Sequence, residues 1–231
     1  MSLSRLASVL AVLAVLAVLG TTVTTVAAYK HRDDRGVLHR SGFGRGQVVV
    51  DRAGDAAFEV PPRTEGWTRK GRDLRVYYVD RDGDPTVGVR GPAVFREGYC
   101  AAEPARSNRG FVGFTHPVAG VGVRAANAAL GREWLRAVAL NADLRTVAPH
   151  TRLRTAGFTL ADGSAAVRST ARITVTDRGP CTAPAVELTL VSLDAGGRVA
   201  TLVMVRDAGV RGTVTDGLAD LVLGTLHRVG R

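Results

Sequence analysis

The sequence predicts an α+β domain in which an antiparallel β-sheet built of hairpins is packed with two amphipathic helices. Short β-rich runs follow one another in pairs that are separated by turn residues, and strands joined by tight turns pair antiparallel. Two other segments carry apolar residues at three- and four-residue steps, as surface helices do. Each helix needs a partner for its apolar face, and the sheet is the available one.

One transmembrane helix is predicted before this domain, within residues 1–28. No charged residue lies between Arg5 and Lys30, and the uncharged run from Leu6 to Ala28 is 23 residues long. A helix of that length crosses a hydrocarbon core of about 30 Å. We therefore expect the chain to be held in the cell membrane through residues 6–28. A signal peptide that is cleaved after residues 26–28 (VAA), giving a secreted protein, is the alternative.

The side of the membrane on which the domain lies is indicated by two observations that disagree. Basic residues follow the predicted span at positions Lys30, Arg32, Arg35 and Arg40. By the positive-inside rule, this flank favours a cytoplasmic domain. The two cysteines, Cys100 and Cys181, favour the outside, because one cysteine pair in an exported domain is typical of a disulfide. Two free buried thiols are the alternative. We expect a Cys100–Cys181 disulfide and an extracytoplasmic domain.

Residues 29–57 are predicted to form a flexible, basic stalk, because they are rich in charge and glycine and show no apolar period. Within them, residues 48–51 (VVVD) are either a short first strand or an apolar patch of the stalk. The folded domain is expected to cover residues 58–231.

Three hairpins are predicted inside the domain. Each consists of two β-rich runs around a turn that contains glycine, and the turns are Asp82-Gly83, Asp162-Gly163 and residues 195–197. The predicted strands are 74–80, 85–91, 152–160, 165–176, 185–193 and 198–206. Residues 96–117 lack a clear period and are predicted to form a long loop with short pieces of structure.

Two helices complete the prediction. The first covers residues 121–142, whose apolar stripe includes Leu130 and Trp134. The second closes the chain, and a capping box of Thr213 and Asp216 marks its start. Its predicted apolar stripe is Leu218, Leu221, Val222, Leu226 and Val229.

The segments FEVPPRTEGW (58–67), GYC…SNRGFVGF (98–114) and AANAALGREWLRA (125–137), followed by a strand-rich tail that ends in a helix, resemble an actinobacterial surface-protein family of unknown function. Members of that family usually carry one N-terminal membrane segment, and their domain is similar to the PsbP-like α/β/α sandwich. The resemblance covers about residues 58–231 and rests on the order of the segments. It implies an exported domain that faces outward, and it supplies no catalytic residues.

The charge of the chain excludes one class of partner and suggests another. The formal net charge is +10, and only two of the 31 basic residues, Lys30 and Lys70, are lysine. The arginines are interleaved with acids, whereas nucleic-acid-binding proteins usually concentrate positive charge on one face. We expect no nucleic-acid partner. An attraction to anionic lipid or to an anionic envelope polymer follows more naturally from such a field.

Three aspartates at alternate positions, Asp80, Asp82 and Asp84, raise the question of a calcium loop. An EF-type loop that starts at Asp80 needs glycine at its sixth position and glutamate at its twelfth. The sequence has Pro85 and Gly91 there. The stretch therefore fits a hairpin turn better, with weak cation binding as a minor alternative.

No constellation in the sequence points to catalysis. The G-x-G-x-x-A pattern of residues 120–125 lacks the βαβ surroundings of a nucleotide site. The chain has no G-x-S-x-G elbow and no cluster of zinc ligands. We expect a protein that is not an enzyme and that has no metal and no cofactor. An envelope enzyme whose site is assembled from distant residues is the alternative.

The loop 96–117 is the predicted binding surface for a protein or an anionic envelope polymer. Long irregular loops in compact domains are commonly functional, and Cys100 would hold this one in place. Arginines beside aromatic residues suit such a partner. The candidate residues are Arg96, Tyr99, Arg106, Asn108, Arg109 and His116. The alternative is a structural loop in which Phe111 and Phe114 fill the core.

Overall fold

The computed structural model describes residues 29–32, 38–41 and 43–229. The predicted membrane segment, residues 1–28, lies outside the described residues, so the anchor and the signal peptide both stay predictions. No helix within the described ranges has the length and apolar character that a membrane crossing requires.

A large antiparallel sheet forms the centre of the domain. Its strands are β5 (Trp67–Arg69), β6 (Arg75–Val79), β7 (Pro85–Phe95), β8 (Gly110–Phe114), β9 (Val118–Ala119), β10 (Arg154–Thr159), β11 (Ala165–Thr174), β12 (Ala185–Asp194) and β13 (Arg198–Ala208). They are ordered β10-β11-β12-β13-β8-β7-β5. The long strand β7 pairs with β6 along its first half and with β5 at its end, and β9 pairs with β13.

A smaller antiparallel sheet joins the two ends of the described domain. It contains β3 (Gln47–Asp51), β4 (Ala56–Val60) and β14 (His227–Arg228) in the order β14-β4-β3. The N–H of Val229 donates to the carbonyl of Asp55 at 2.9 Å, which fastens the end of the chain beside β4. Before this sheet, β1 (Tyr29–Arg32) and β2 (Leu38–Ser41) pair with each other.

Side chains alternate between the two faces of the large sheet, so each face has its own core. On β13, Val203 and Val205 lie in the core under the helix α1 (Val123–Val138), whereas Leu202 and Met204 lie in the opposite core. The second core is covered by the small sheet and by the helix α2 (Asp216–Gly224). The molecule therefore has three layers, with the large sheet in the middle.

The apolar stripe of α1 explains why this segment is helical and how it packs. Ala126, Leu130 and Trp134 recur at four-residue steps, and Leu130, Trp134 and Leu135 are buried against the sheet. Trp134 is fully buried, and its ring meets the ring of Tyr78 edge-on at 6.0 Å. Burial of one large apolar side chain stabilises a fold by about 1.5–3 kcal/mol, so Trp134 is a main anchor of α1.

The predicted boundary at residue 58 is wrong, because the domain begins earlier. Strand β3 pairs with β4 along its whole length, and Val49 is only 6% exposed. Of the two alternatives for residues 48–51, the strand is the one observed. Residues 47–57, which the sequence assigns to the flexible stalk 29–57, therefore belong to the folded domain. The strand holds three successive valines at 48–50, so the alternation of apolar and polar residues that marks a strand is absent from its sequence.

The closing helix also differs from the prediction. Its N-cap is Thr215, whose hydroxyl oxygen accepts from the N–H of Leu218, and the predicted cap Thr213 instead donates to the carbonyl of Asp207. The helix ends at Gly224, and Leu226 is buried beyond it. Leu221 belongs to the predicted stripe but is 58% exposed, because the buried face of the helix is formed by Ala219, Val222 and Leu223.

Candidate functional site

The aspartate stretch forms the turn between β6 and β7. The carboxylate of Asp80 accepts from the N–H groups of Asp82 and Asp84, at 3.0 Å each, and Gly83 adopts a φ of 87°. The Asp80 carboxylate is thus used by its own turn, as the hairpin interpretation predicts. Over residues 29–32, 38–41 and 43–229, no three histidine, cysteine or acidic side chains lie close enough together to hold a metal ion.

Cys100 and Cys181 form a disulfide, as predicted, with their Cα atoms 5.7 Å apart. The bond joins the segment 96–109 to the segment before β12. The hydroxyl of Tyr99 donates to the carbonyl of Cys181 and strengthens the same junction. The N–H of Cys100 in turn donates to the hydroxyl oxygen of Ser107 at 3.1 Å.

Tyr99 and Arg109, two of the predicted binding residues, contact each other beside this disulfide. The guanidinium carbon of Arg109 lies 3.7 Å from the centre of the Tyr99 ring, and its Nη1 donates to Asp207 at 2.8 Å. Burial raises the pKa of Asp207 and outweighs the lowering effect of Arg109. Burial also raises the pKa of Tyr99, although Arg109 acts in the opposite direction.

The other predicted binding residues are spread over the loop. The side chain of Asn108 accepts from the N–H of Gly110 and shapes the entry into β8. Arg106 and His116 are exposed, and Arg96 is an exposed residue whose guanidinium stacks on the Phe95 ring at 5.6 Å. Phe111 and Phe114 fill the two cores, as the alternative predicts. The structure brings Tyr99 and Arg109 together, and the partner-binding role of all six residues stays a prediction.

A groove of about 500 Å³ lies on the face of the sheet away from α1, between β3 and the segment that follows β5. Its walls are residues 49–53 on one side and residues 69–73 on the other. Arg90, Gly91 and Phe114 contribute the part that belongs to the large sheet.

A bulge in β7 makes room for this groove. The pairing of β7 with β8 shifts register between Arg90 and Ala93, and Gly91 adopts a φ of 50°. A Cβ atom at Gly91 would meet the Cα of Arg72 at 3.3 Å and the Val49 side chain at 3.9 Å. Glycine is needed here both for the backbone conformation and for the space between the two walls.

Arg90 is held at the groove by an ion pair with Asp51. Its Nη2 donates to Asp51 Oδ2 at 3.0 Å and to the carbonyl of Thr115 at 3.2 Å. The other oxygen of Asp51 accepts from the N–H of Ala53 at 3.2 Å. Burial raises the pKa of Asp51, and the Arg90 guanidinium opposes this shift.

The lining of the groove is predominantly cationic. It contains five basic side chains, which are Arg52, Arg69, Lys70, Arg72 and Arg90, against the two carboxylates Asp51 and Asp73. Lys70 pairs with Glu97 at 2.5 Å, and Arg90 pairs with Asp51. The remaining arginines have no carboxylate partner within the described part of the chain, so a positive surplus faces the groove. A positive surplus of this kind attracts anionic ligands to the groove.

Residues 44–231 match the family described as a domain of unknown function, DUF8017. The chain belongs to this family. The match confirms the predicted membership of a family of unknown function, and the actinobacterial surface origin stays a prediction. Comparison with curated proteins found no significant match.

Among solved structures, the chain is similar to the solution structure of cyanobacterial PsbP (CyanoP) from Synechocystis sp. PCC 6803. The identity is 15% and the TM-score is 0.46, over 85% of this chain and 99% of that chain. The antiparallel sheet and two helices of the DUF8017 domain match the predicted fold class.

A second cleft in the DUF8017 domain, of about 450 Å³, lies between α2 and the strands β11 and β12. Its charges are largely paired with each other. Arg168 meets Asp220 at 2.9 Å, Arg172 meets Glu187 at 2.6 Å, and the nearly buried Arg206 contacts both Glu187 and Asp216. Because these charges compensate one another, this cleft offers less attraction to a charged ligand than the groove.

The groove of the DUF8017 domain was missed by reasoning from the sequence. Arg52 lies in the predicted stalk, and Arg90 lies in the predicted strand 85–91. One signal was present, because four of the seven residues from Arg69 to Arg75 are basic. That density marks one wall of the groove, although it does not reveal which segments form the other wall.

Proposed function

We propose that this DUF8017 domain is a membrane-anchored, extracytoplasmic binding domain without enzymatic activity, and that it holds an anionic component of the cell envelope. The observation that supports this most is the cationic groove between β3 and residues 69–73. Anionic polymers are abundant binding targets for such a surface, and a positive field also speeds their association.

The disulfide supports the location. Disulfides persist in oxidising compartments and are rare in the cytosol. The Cys100–Cys181 bond joins two segments that are 81 residues apart in sequence. The uncharged N-terminal run supports the anchor. Recovery of the protein from cell envelopes with its full mass is the expected result, and loss of residues 1–28 would instead favour a secreted form.

Two features support binding over catalysis. Asp51 and Asp207 are described carboxylates with raised pKa values, and each is paired with an arginine, Arg90 or Arg109. A carboxylate held in this way is poorly placed to act as a general base. The groove itself presents mainly guanidinium groups, which suit the recognition of oxyanions.

Binding is tested with the full-length protein in detergent, sedimented with isolated cell envelopes at low and at high sodium chloride. We expect binding to fall with salt, because ionic attraction is screened. The double variant Arg52→Glu/Arg72→Glu should bind at least about tenfold more weakly, since hydrogen bonds to charged groups contribute about 1.5–3 kcal/mol each.

The matched control is Arg124→Glu/Arg132→Glu. Both residues are exposed on α1, on the other side of the large sheet, and their reversal changes the net charge by the same amount. The control should bind like the native protein. Equal loss in the two double variants would show that net charge, not the groove, attracts the envelope, and would contradict the proposed site.

A further inference from the structure

Arg90 has hydrogen-bonding capacity that the protein does not use. An arginine presents five N–H donors. Arg90 uses Nη2 for Asp51 and Thr115, and its buried Nε–H has no acceptor among the residues that the structure describes. A buried donor without an acceptor costs about 1–3 kcal/mol, so the protein alone does not satisfy all the donors of this guanidinium. The Arg90 side chain is 26% exposed, and its Nη1 makes no hydrogen bond with a described residue, so an acceptor in the groove can meet the guanidinium there.

Three more arginines reach the groove from different segments. Arg52 lies in the turn after β3, Arg69 ends β5, and Arg72 lies in the segment before β6. Nη1 of Arg69 donates to the carbonyl of Val48 at 2.8 Å, which positions that side chain along the wall. Arg52 and Arg72 are exposed and make no ion pair with a described residue. Together with Arg90, these arginines bring four side chains from different parts of the chain to the lining of one groove.

We propose that the groove is a binding site for a phosphate group, which is held between Arg90 and the arginines Arg52, Arg69 and Arg72; this rests on the proposed function and names the ligand class of its site. A phosphate presents oxygens in three dimensions and accepts from donors on several sides. A carboxylate is planar, and its two oxygens suit one bidentate arginine. Donors that come from four segments fit the phosphate better.

The two carboxylates of the lining do not cancel this preference. Asp51 is compensated by Arg90 and by the N–H of Ala53. Asp73 has no ion-pair partner within the described ranges, and the same lining contains three arginines that also lack one. After these pairings a positive surplus remains for the ligand. Binding of the phosphate is noncovalent and needs no cofactor.

The test measures the melting temperature of the full-length protein in detergent against inorganic phosphate at constant ionic strength, with acetate and chloride as comparison anions. A ligand that binds the folded state raises the melting temperature with its concentration. We expect phosphate to raise it more than acetate or chloride. Arg72→Gln, an exposed substitution outside the packed core, should weaken phosphate binding about tenfold, since hydrogen bonds to charged groups are strong.

Arg90→Gln should weaken it at least as much, and Arg132→Gln on α1 is the control that should bind phosphate like the native protein. Phosphatidylglycerol vesicles and a soluble poly(glycerol phosphate) separate the two sources of the group. If the protein binds one of these two probes and free phosphate displaces that probe, the result supports the site and identifies the source of the phosphate group.

The inference is overturned if phosphate gives no more stabilisation than chloride, or if Arg72→Gln and Arg90→Gln keep the native response. An acetate effect equal to that of phosphate also overturns it and favours a carboxylate ligand. In each of these cases the proposed function survives if envelope binding still depends on Arg52 and Arg72. If the envelope experiment also fails, the proposed function is wrong as well.

Discussion

Asn127 is a polar residue of α1 that is fully buried, with 0% exposure. Its amide nitrogen donates to the carbonyl of Val167 at 3.1 Å and to the hydroxyl of Ser192 at 2.8 Å, and its oxygen accepts from the hydroxyl of Ser169 at 2.5 Å. Ser192 continues the network to Thr201 at 2.8 Å. Because every group of the amide is used, this network fixes the position of α1 on β11, β12 and β13.

Asn127→Ala should lower the free energy of unfolding by about 2–4 kcal/mol, since it leaves the carbonyl and hydroxyl partners without bonds in a buried place. Urea denaturation measures this loss. The exposed substitution Arg132→Ala on the same helix should change the free energy by less than about 0.5 kcal/mol. An equal effect of the two substitutions would mean that the network is replaced by water at little cost.

Asp207 gives the fold a dependence on pH. Burial raises its pKa above the ordinary value of 3.8, so the folded protein takes up this proton at a higher pH than the unfolded chain does. The free energy of unfolding therefore gains from Asp207 as the pH falls through the raised pKa, and the gain is complete below 3.8. As the pH rises through the raised pKa, Asp207 becomes ionised in the folded state as well, and this contribution to the free energy of unfolding is lost.

Comparison of the native protein with Asp207→Asn isolates this effect, because asparagine does not titrate. We expect the stability of the native protein, relative to the variant, to increase from pH 7 towards pH 4 (roughly the unshifted value of an aspartate). Urea denaturation at a series of pH values measures the difference. A relative decrease would show that the ion pair with Arg109 outweighs burial and lowers the pKa of Asp207.

At the scale of the elements, Gly113 of β8 shows how closely the strands approach. A Cβ atom at this position would lie 2.9 Å from the Cβ of Val89, which is fixed to the β7 backbone. Gly157 of β10 is also in a strand, and a Cβ atom there would meet nothing within 4 Å. Both glycines lie in strands, but an added methyl group would be crowded only at Gly113.

Gly113→Ala should destabilise the fold by about 1–3 kcal/mol through overpacking. Gly157→Ala should change the free energy of unfolding by less than about 0.5 kcal/mol, as an open surface site does. Chemical denaturation of both variants tests the pair. If Gly113→Ala is as neutral as Gly157→Ala, then β7 and β8 can separate at the bulge without cost.

The hairpins were predictable from sequence because their partners are neighbours along the chain. The predicted pairs correspond to β6–β7, β10–β11 and β12–β13, and the helix predicted over 121–142 is α1. Strand β8 was hidden in a predicted loop, since GFVGF is short and glycine-flanked and its partners β7 and β13 lie on either side of it in space. Its central position follows from pairing over long sequence distances.

The groove was harder to predict for the same reason. Its lining comes from residues 49–53, 69–73 and 90–91, and only the folded arrangement of β3, β5 and β7 brings them together. Arg52 and Arg72 show nothing special in their local sequence. By contrast, the Tyr99–Arg109 contact lies within one loop, and the prediction of a functional surface in that loop already contained both residues.

At the scale of the whole molecule, the disulfide ties two distant parts of the chain. The bond spans 81 residues of sequence and includes α1, β8, β10 and β11 in the loop that it closes. A loop of that length is expensive to close in the unfolded state, so the bond destabilises the unfolded chain. The chain-entropy description gives a contribution of about 4 kcal/mol to the free energy of unfolding.

Cys100→Ser/Cys181→Ser should therefore lower the melting temperature by roughly 10 °C, at about 2–4 °C per kcal/mol for a domain of this size. Reduction of the native protein should produce a similar decrease and should leave the double variant unchanged. Calorimetry with and without reductant measures both. A native protein that is insensitive to reductant would show that the bond is absent in solution.

The two-residue strand β14 covers part of the edge of β4 in the small sheet. All five residues of β4 are buried and four of them are apolar, so an open β4 edge would be a place where another chain could add as a strand. His227 and Arg228 occupy that edge by pairing with Ala57 and Ala56. By covering part of this edge, a very short stretch near the end of the chain leaves fewer free backbone groups on which a second copy could pair.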